Sequence, residues 1–445
     1  MDVPTDETPI LNKLLRIRGE LEKLKSDRSK FLRSEDVVPY YDMLITLINR
    51  VTRLRLDNQH KGEHNRLDVV FDDCFSLLSL FYLGVGRINE APATYAGIIT
   101  IKRLLDHLTE SGVVADKDLS SIDQQLRDKR RILDISQETC DPSLITFLST
   151  KLDACEEVLH KLQASLSNLS PELIPTLDKL VSIRRQLAAI GSKPKYVPQD
   201  LKPLIEELRS IEASRVDGHF LSATGDIPEG QAILTNVIEH CHNLAEELTA
   251  NRHEVNDGLR PIYETLLDIR SQLERLNVTH RWTLRETDLH TFQTQLQGID
   301  DKRVNGKFCD EQGNVPEGQW VLLYLLRKSY AMIYGLLLSS EAVSEGLMPV
   351  HNQLSTVKRC LLAVKKNGGL SSARELYPYQ MKLASIESLR VDGKFMVGNA
   401  IPEGQGLVNA LLSEVSSTHG VILTPSALIC VMSYDVKWMR MSASE

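Results

Sequence analysis

One pattern of sixteen or seventeen residues recurs three times in this 445-residue chain, and a recurrence at constant spacing restricts the fold more than composition can. Residues 215–231 read RVDGHFLSATGDIPEGQ, 303–319 read RVNGKFCDEQGNVPEGQ, and 390–405 read RVDGKFMVGNAIPEGQ. The glycine after Asp or Asn falls at 218, 306 and 393, at spacings of 88 and 87 residues. A second pattern extends the repeat upstream. PTLDKLVSIRRQL (175–187), PIYETLLDIRSQL (261–273) and PVHNQLSTVKRCL (349–361) share a proline, an Ile or Val eight residues on, a basic residue, and a Leu at twelve. PILNKLLRIRGEL (9–21) keeps that spacing, and ATYAGIITIKRLL (93–105) fits with Ala93 in place of Pro. The starts at 9, 93, 175, 261 and 349 divide the chain into five units: 1–91, 92–172, 173–258, 259–346 and 347–418. An apolar, β-branched and non-periodic tail, 419–445, follows and is expected to be irregular.

Each unit reads as three helices. Helix A opens at the proline, whose missing N–H costs nothing at the first helical position. In the fourth unit Ile262, Leu266, Ile269, Leu273 and Leu276 follow a three-to-four spacing. Helix B carries paired apolar residues, Leu208/Ile211, Leu296/Ile299 and Leu383/Ile386. Helix C follows PEGQ. In the fourth unit it is apolar around much of its circumference (Trp320, Leu322, Leu323, Leu325, Leu326, Met332, Ile333), the mark of a central, buried helix. Strand signals are nearly absent. The expected fold is all-α: about five tandem three-helix repeats forming an α-solenoid or an elongated helical bundle.

The recurring loop has its own local chemistry. Val-Asp-Gly and Val-Asn-Gly are tight-turn signals, because these residues tolerate positive φ. Phe220, Phe308 and Phe395 are expected to plug a core, and KFCDEQGNV to close as a hairpin around Gln-Gly. Asp226 and Asn314, followed by Pro and then Glu, fit a helix cap with the Glu reaching back; Ala400 takes that place in the fifth unit. Arg215, Arg303 and Arg390 are expected to pair with Glu229, Glu317 and Glu403. The candidate binding residues are these six with Asp217, Asn305, Asp392, Lys307 and Lys394. The plainest role for the loop is to set the angle between helices B and C. The rivals are a phosphate site at a helix N-terminus and a ridge of loops that binds a partner. The first two units lack the loop, which a joint needed for geometry alone would not.

Other chemistry is weak. The seven cysteines are dispersed and contain no C-x-x-C, which suits core thiols in a reducing compartment. His240, Cys241 and His242 sit mid-helix, where i and i+2 point apart. His60 and His64 lack the Glu of a zincin. The loop lacks the alternating carboxylates of a calcium site. No metal and no cofactor is expected. His351 and Cys360 share one helix, and a packed thiol is expected there rather than a catalytic dyad. No phosphate-binding loop, nucleophile elbow, dinucleotide fingerprint or kinase set is present. The net charge of −8 argues against a general nucleic-acid or anionic-membrane binder, with IRRQLAAIGSKPK (183–195) the leading local basic stretch. Arg327 and Lys328 interrupt the most apolar stretch, and the N-terminus carries no apolar leader, so neither a membrane span nor a signal peptide is expected. A cytoplasmic protein is expected, with the nucleus as a second compartment.

RVDGKF, IPEGQ and the flanking helices resemble a fungal family of uncharacterised proteins, over residues 1 to about 418. The resemblance implies a cytoplasmic or nuclear protein and supplies no catalytic residue. The favoured function is a non-enzymatic helical-repeat scaffold or adaptor that binds other proteins. The alternative is a small-molecule or phosphate-ligand binder, or an enzyme, with its site at the RV[DN]G…PEGQ loops.

Overall fold

The computed structural model describes residues 3–57, 65–112, 114–193, 196–222, 224–249, 255–309, 313–316, 318–367 and 373–421. The helices come in threes: α1 (Thr8–Ser26), α2 (Ser34–Asp57), α3 (Arg66–Gly84); α4 (Tyr95–Ser111), α5 (Asp116–Ser136), α6 (Pro142–Ser167); α7 (Ile174–Gly191), α8 (Lys202–Ala213), α9 (Gln231–Thr249); α10 (Arg260–Thr283), α11 (Leu289–Asp300), α12 (Gln319–Leu338); α13 (Met348–Lys366), α14 (Tyr377–Glu387), α15 (Gln405–Val421). The only strands among the described residues are two-residue ribbons: β1 (Arg303–Val304) with β2 (Lys307–Phe308), and β3 (Arg390–Val391) with β4 (Lys394–Phe395). The all-α expectation holds. The tail beyond Val421 and the pair His60/His64 lie outside the described residues.

Proline stands in the first turn of α1, α6, α7 and α13, where its fixed φ fits the helix. Start α4 lacks that proline; a short 3-10 turn, Ala91–Thr94, leads into it instead. α3 begins with a capping box, Asn65 accepting from Leu67 N–H while Asp68 accepts from Asn65 N–H. Where the recurring loop is present, the B helices α8, α11 and α14 are 12, 12 and 11 residues long. Where it is absent, α2 and α5 run to 24 and 21 residues. The second segment therefore reaches helix C by a longer helix B and a short turn at 137–141, and the first also has a longer helix B.

The A and C helices pair within each group: α1 with α3, α4 with α6, α7 with α9, α10 with α12, α13 with α15. Groups do not pack only on their sequence neighbours. α12 packs on α4 and α7 as well as on α10 and α11, and α11 reaches α3. One continuous core unites residues of 10–162 with residues of 259–337, while 343–415 keep a core of their own. α12 is long and apolar enough to cross a membrane by composition alone, but its Val321, Leu322, Leu325, Leu326, Ile333 and Leu336 are enclosed by helices on several sides. The expected central helix C is this one.

Two ionic knots tie the helices, the first inside the α1–α3 group and the second between groups. In the first, Arg55 on α2 grips Glu7 (Nε to Oε1, 2.7 Å) and Asp68 on α3 (Nη1 to Oδ1, 2.8 Å), and Asn65 donates to Glu7 at 2.8 Å. In the second, Arg285 donates to Glu345 (2.9 Å) and to the carbonyls of Asp27 (2.8 Å) and Lys30 (3.2 Å). Leu32 N–H donates back to Glu345, and Glu345 N–H to the Gly84 carbonyl. This joins the beginning of the chain to segments more than 250 residues away.

Glu286 lies beside that second knot, its carboxylate against Gly84. Burial, with the charges of Glu345 and Asp288, pushes its carboxyl up to about 7. A carboxyl raised in the folded state holds its proton there after the unfolded chain has lost its own. Its contribution is therefore present at acid pH and is lost as pH rises from the ordinary range towards 7. Glu286→Gln is expected to leave the thermal midpoint nearly unchanged at pH 4 and to raise it at pH 8, by an equivalent of at most about 3 kcal/mol. Equal midpoints for the two proteins at pH 8 would refute this.

Candidate functional site

The three loops share one construction. Asp217-Gly218, Asn305-Gly306 and Asp392-Gly393 all have positive φ at both residues, the two-residue turn that matches the twist of a hairpin. Arg303 pairs with Phe308 and Arg390 with Phe395 across the ribbons, and Val216 bridges to His219 in the third segment. Phe220, Phe308 and Phe395 are buried, as expected.

The last residue of PEGQ holds the loop shut. Gln319 accepts from Phe308 N–H (2.9 Å) and donates to the carbonyls of Phe308 (2.8 Å) and Pro316 (3.1 Å). Gln231 does the same with Phe220 and Pro228, and Gln405 with Phe395 and Pro402. The side chain completes the ribbon that the two-residue strands leave unfinished. Sequence reasoning missed this role, although an invariant Gln after each glycine was the available signal.

The expected helix cap is corrected. α9, α12 and α15 begin at Gln231, Gln319 and Gln405, and Gly318 with φ 88° is the residue before α12. Asp226 lies outside any helix or strand, five residues earlier, and accepts from Thr224 Oγ1. The reason is the glycine: Gly230 and Gly404 have φ of 100° and 98°, which no helix continues through. That turn also lets Glu229 and Glu403 offer their carbonyls to Ser170 and Ser344 N–H, ahead of helix A. A Cβ on Gly404 would stand 2.7 Å from Val343 Cα, so the approach is as close as backbones allow.

The expected Arg–Glu pairing across the loop is also corrected. Arg215 donates to Thr235 and lies over the Phe220 ring; Arg390 donates to the Gly393 carbonyl and lies over Phe395. Glu229 and Glu403 are exposed, and Glu403 accepts from Ser34 Oγ at 2.6 Å. Glu317 lies outside the described residues. Asp217, Asn305, Asp392, Lys307 and Lys394 are exposed at the turns.

Arg303 differs from its two counterparts. It is 7% exposed and bonds Asp300 (Nε to Oδ1, 2.6 Å), Glu110 on α4 (Nη1 to Oε2, 2.6 Å) and the Gly306 carbonyl. Asp300, 2% exposed, also meets Arg103 at 3.3 Å and His107 Nε2 at 3.4 Å. Burial opposes its charge, yet the bond from His107 and the charges of His107, Arg303 and Arg103 hold the carboxyl below its usual range. The group lines a cavity of about 810 Å³ whose other walls come from α4, α6, α7 and α9, with Val158, Leu162, Leu177, Ile233 and Val237 as its apolar side.

The remaining sequence candidates do not form sites. Cys241 is buried while His240 is exposed, and His242 meets Glu212 at 2.9 Å. No group of three metal-ligating side chains is found among the described residues. His351 is buried but Cys360 is exposed, which corrects the expectation of a packed thiol; nine residues of helix put them on different faces.

The fold and loops thus define a helical protein built on hairpin-to-helix joints, with a charged cavity beside one of them. A family described as a protein of unknown function, DUF2408, matches residues 166–286. The chain is 41% identical over 421 residues to a CUB1 family protein of Schizosaccharomyces pombe, covering 93% of this chain and 92% of that one. It is 39% identical to the "Cu(2+) suppressing and bleomycin sensitive protein 1" of Saccharomyces cerevisiae, over 93% of this chain and 89% of the relative. The chain belongs to the CUB1 family. A weaker similarity, 23% over 125 residues, reaches an intraflagellar transport protein 57 homolog of Xenopus tropicalis. No solved structure matches.

Proposed function

We propose that this protein is a non-enzymatic helical scaffold that binds other proteins through the tips of its three hairpin loops. One observation carries the reading. Each loop exposes the same two β-branched residues: Val216 (53%) and Ile227 (58%), Val304 (57%) and Val315 (50%), Val391 (59%) and Ile401 (53%). A joint needs the buried phenylalanine, the glutamine clamp and the glycine. It does not need six exposed apolar side chains, and exposed apolar surface repeated in this way suits a protein partner. The two-residue strands also leave backbone edges short enough to stay soluble alone.

The test is a variant carrying Val216→Ser, Val304→Ser and Val391→Ser, compared with the parent in affinity capture followed by cross-linking. These side chains face water, so the thermal midpoint is expected to move by less than the equivalent of about 1 kcal/mol. Captured partners are expected to fall about tenfold, with cross-links in the parent concentrated at the loops. An unchanged set of partners, cross-linked elsewhere, would overturn the reading.

A further inference from the structure

Two hydrophobic cores stay apart beside Arg303. Leu162 on α6 belongs to the core that unites residues of 10–162 with residues of 259–337. Leu177 on α7 and Val237 on α9 belong to a second core, centred on residues 169–241, and Leu166 packs against both. The cavity of about 810 Å³ is lined by residues of the two cores. On α6 its wall is Val158, Leu162 and Leu166, four residues apart and so on one face of the helix; on α9 it is Ile233 and Val237, again four apart. Protein interiors are close-packed, and apolar surface left facing a cleft of this size is held at a cost. The volume and the position between two cores are those of small-molecule sites.

The polar side of the cavity narrows the chemistry of what could fill it. Three carboxylates (Asp106, Glu110, Asp300) and three cations (Arg103, Lys161, Arg303) line it, and each already has an ion partner within the chain. Asp106 meets Lys102 at 3.3 Å, Glu110 meets Arg303 at 2.6 Å, and Asp300 meets both Arg303 and Arg103. Lys161 meets Glu157 at 2.6 Å and is 71% exposed, so it would hold an anion only weakly. A charged ligand would enter without a counter-charge or would break one of these pairs, and either is unfavourable. The two hydroxyls on the wall spend their protons inside their own helices. Thr109 Oγ1 donates to the Leu105 carbonyl at 2.9 Å, and Ser165 Oγ to the Leu162 carbonyl at 2.6 Å. Their oxygens remain as acceptors, which suits a ligand that donates a hydrogen bond.

We infer that this cavity binds a small uncharged molecule, apolar along most of its length and ending in a hydroxyl, with its hydrocarbon against Val158, Leu162, Ile233 and Val237 and its hydroxyl donating to Thr109 or Ser165. The site goes beyond partner binding by the loops and uses none of their exposed valines or isoleucines.

The experiment is calorimetric titration of the full chain with 1-octanol at neutral pH. Octanoate and octylamine carry the same hydrocarbon with a charge of either sign, and 1-methoxyheptane matches the length without a donor. One saturable site is expected for octanol, with octanoate and octylamine each about tenfold weaker because their charge has no partner in the cavity. The ether is expected to be several-fold weaker than the alcohol. Ile233→Trp and Val158→Trp fill the cavity from different helices and touch no ion pair. Each is expected to weaken octanol about tenfold, in protein whose thermal unfolding stays cooperative. Absence of saturable octanol binding would overturn the site, as would binding insensitive to both substitutions. Octanoate or octylamine binding as tightly as octanol would overturn the uncharged ligand, and equal affinity for the ether would overturn the hydroxyl.

Discussion

Arg303→Ala is expected to destabilise the protein by about 3 kcal/mol, whereas Arg215→Ala and Arg390→Ala cost about 1 kcal/mol or less each. The three arginines occupy the same position of the same loop, so the sequence predicts equal effects. Their surroundings differ. Removing Arg303 leaves Asp300, 2% exposed, with only Arg103 at 3.3 Å and His107 at 3.4 Å to balance it. It also frees Glu110 on α4, which undoes a tie between segments 193 residues apart in the chain. Arg215 loses a hydroxyl partner and a stacked ring, and Arg390 a carbonyl, a stacked ring and only a long, exposed ion pair with Glu387 at 3.9 Å. Denaturant unfolding of the three variants measures this, and three equal losses would sink the explanation. The gap between Arg303→Ala and the others should narrow in acid. Asp300 is held below its ordinary range in the folded protein, so its contribution is present above that range and is lost as pH falls through it.

Arg55→Ala is expected to cost about 3–5 kcal/mol, the range for leaving a buried carboxylate without its partner. Glu7 is 4% exposed and has Asn65 as its other side-chain donor. The bond from Arg55 is the main reason that the Glu7 carboxyl sits below its usual range, ahead of the opposing effect of burial. Stability from this knot is therefore present above that range and falls as pH drops through it, so Arg55→Ala should cost less near pH 3 than at pH 7. Glu7→Gln in the Arg55→Ala background should recover part of the loss at neutral pH, because it removes the uncompensated charge. Additive losses in that double variant would show that the two side chains do not act together.

The structure bears on why only three segments keep the loop. α2 and α5 are about twice as long as α8, α11 and α14, and α5 reaches helix C without a hairpin. The second segment shows another way to connect helices B and C, so its lack of the recurring motif is no argument for a ligand at each loop. The argument for binding rests instead on the exposed valines and isoleucines.

Local features were legible because local sequence causes them. Pro175 and Pro349 stand in the first turns of their helices, the Asp-Gly and Asn-Gly turns have positive φ, and Phe308 is buried. The helix cap was misplaced because Asp226-Ile-Pro-Glu matches a capping pattern while the outcome depends on Gly230, whose approach to Leu169 requires positive φ. The Arg–Glu pairs were misread for a related reason. Opposite charges near in sequence look like partners, but Glu110 comes to Arg303 from another helix group.

By itself, the sequence determined that this chain is helical, how its helices follow one another, and where three hairpins turn, since turn residues and apolar spacing act over a few residues. Only the tertiary structure decided that α12 packs on α4 and α7 and that Arg303 closes on Glu110. Those arrangements depend on which helix faces meet across long separations, and the apolar periodicity that marks a buried face does not say what will bury it.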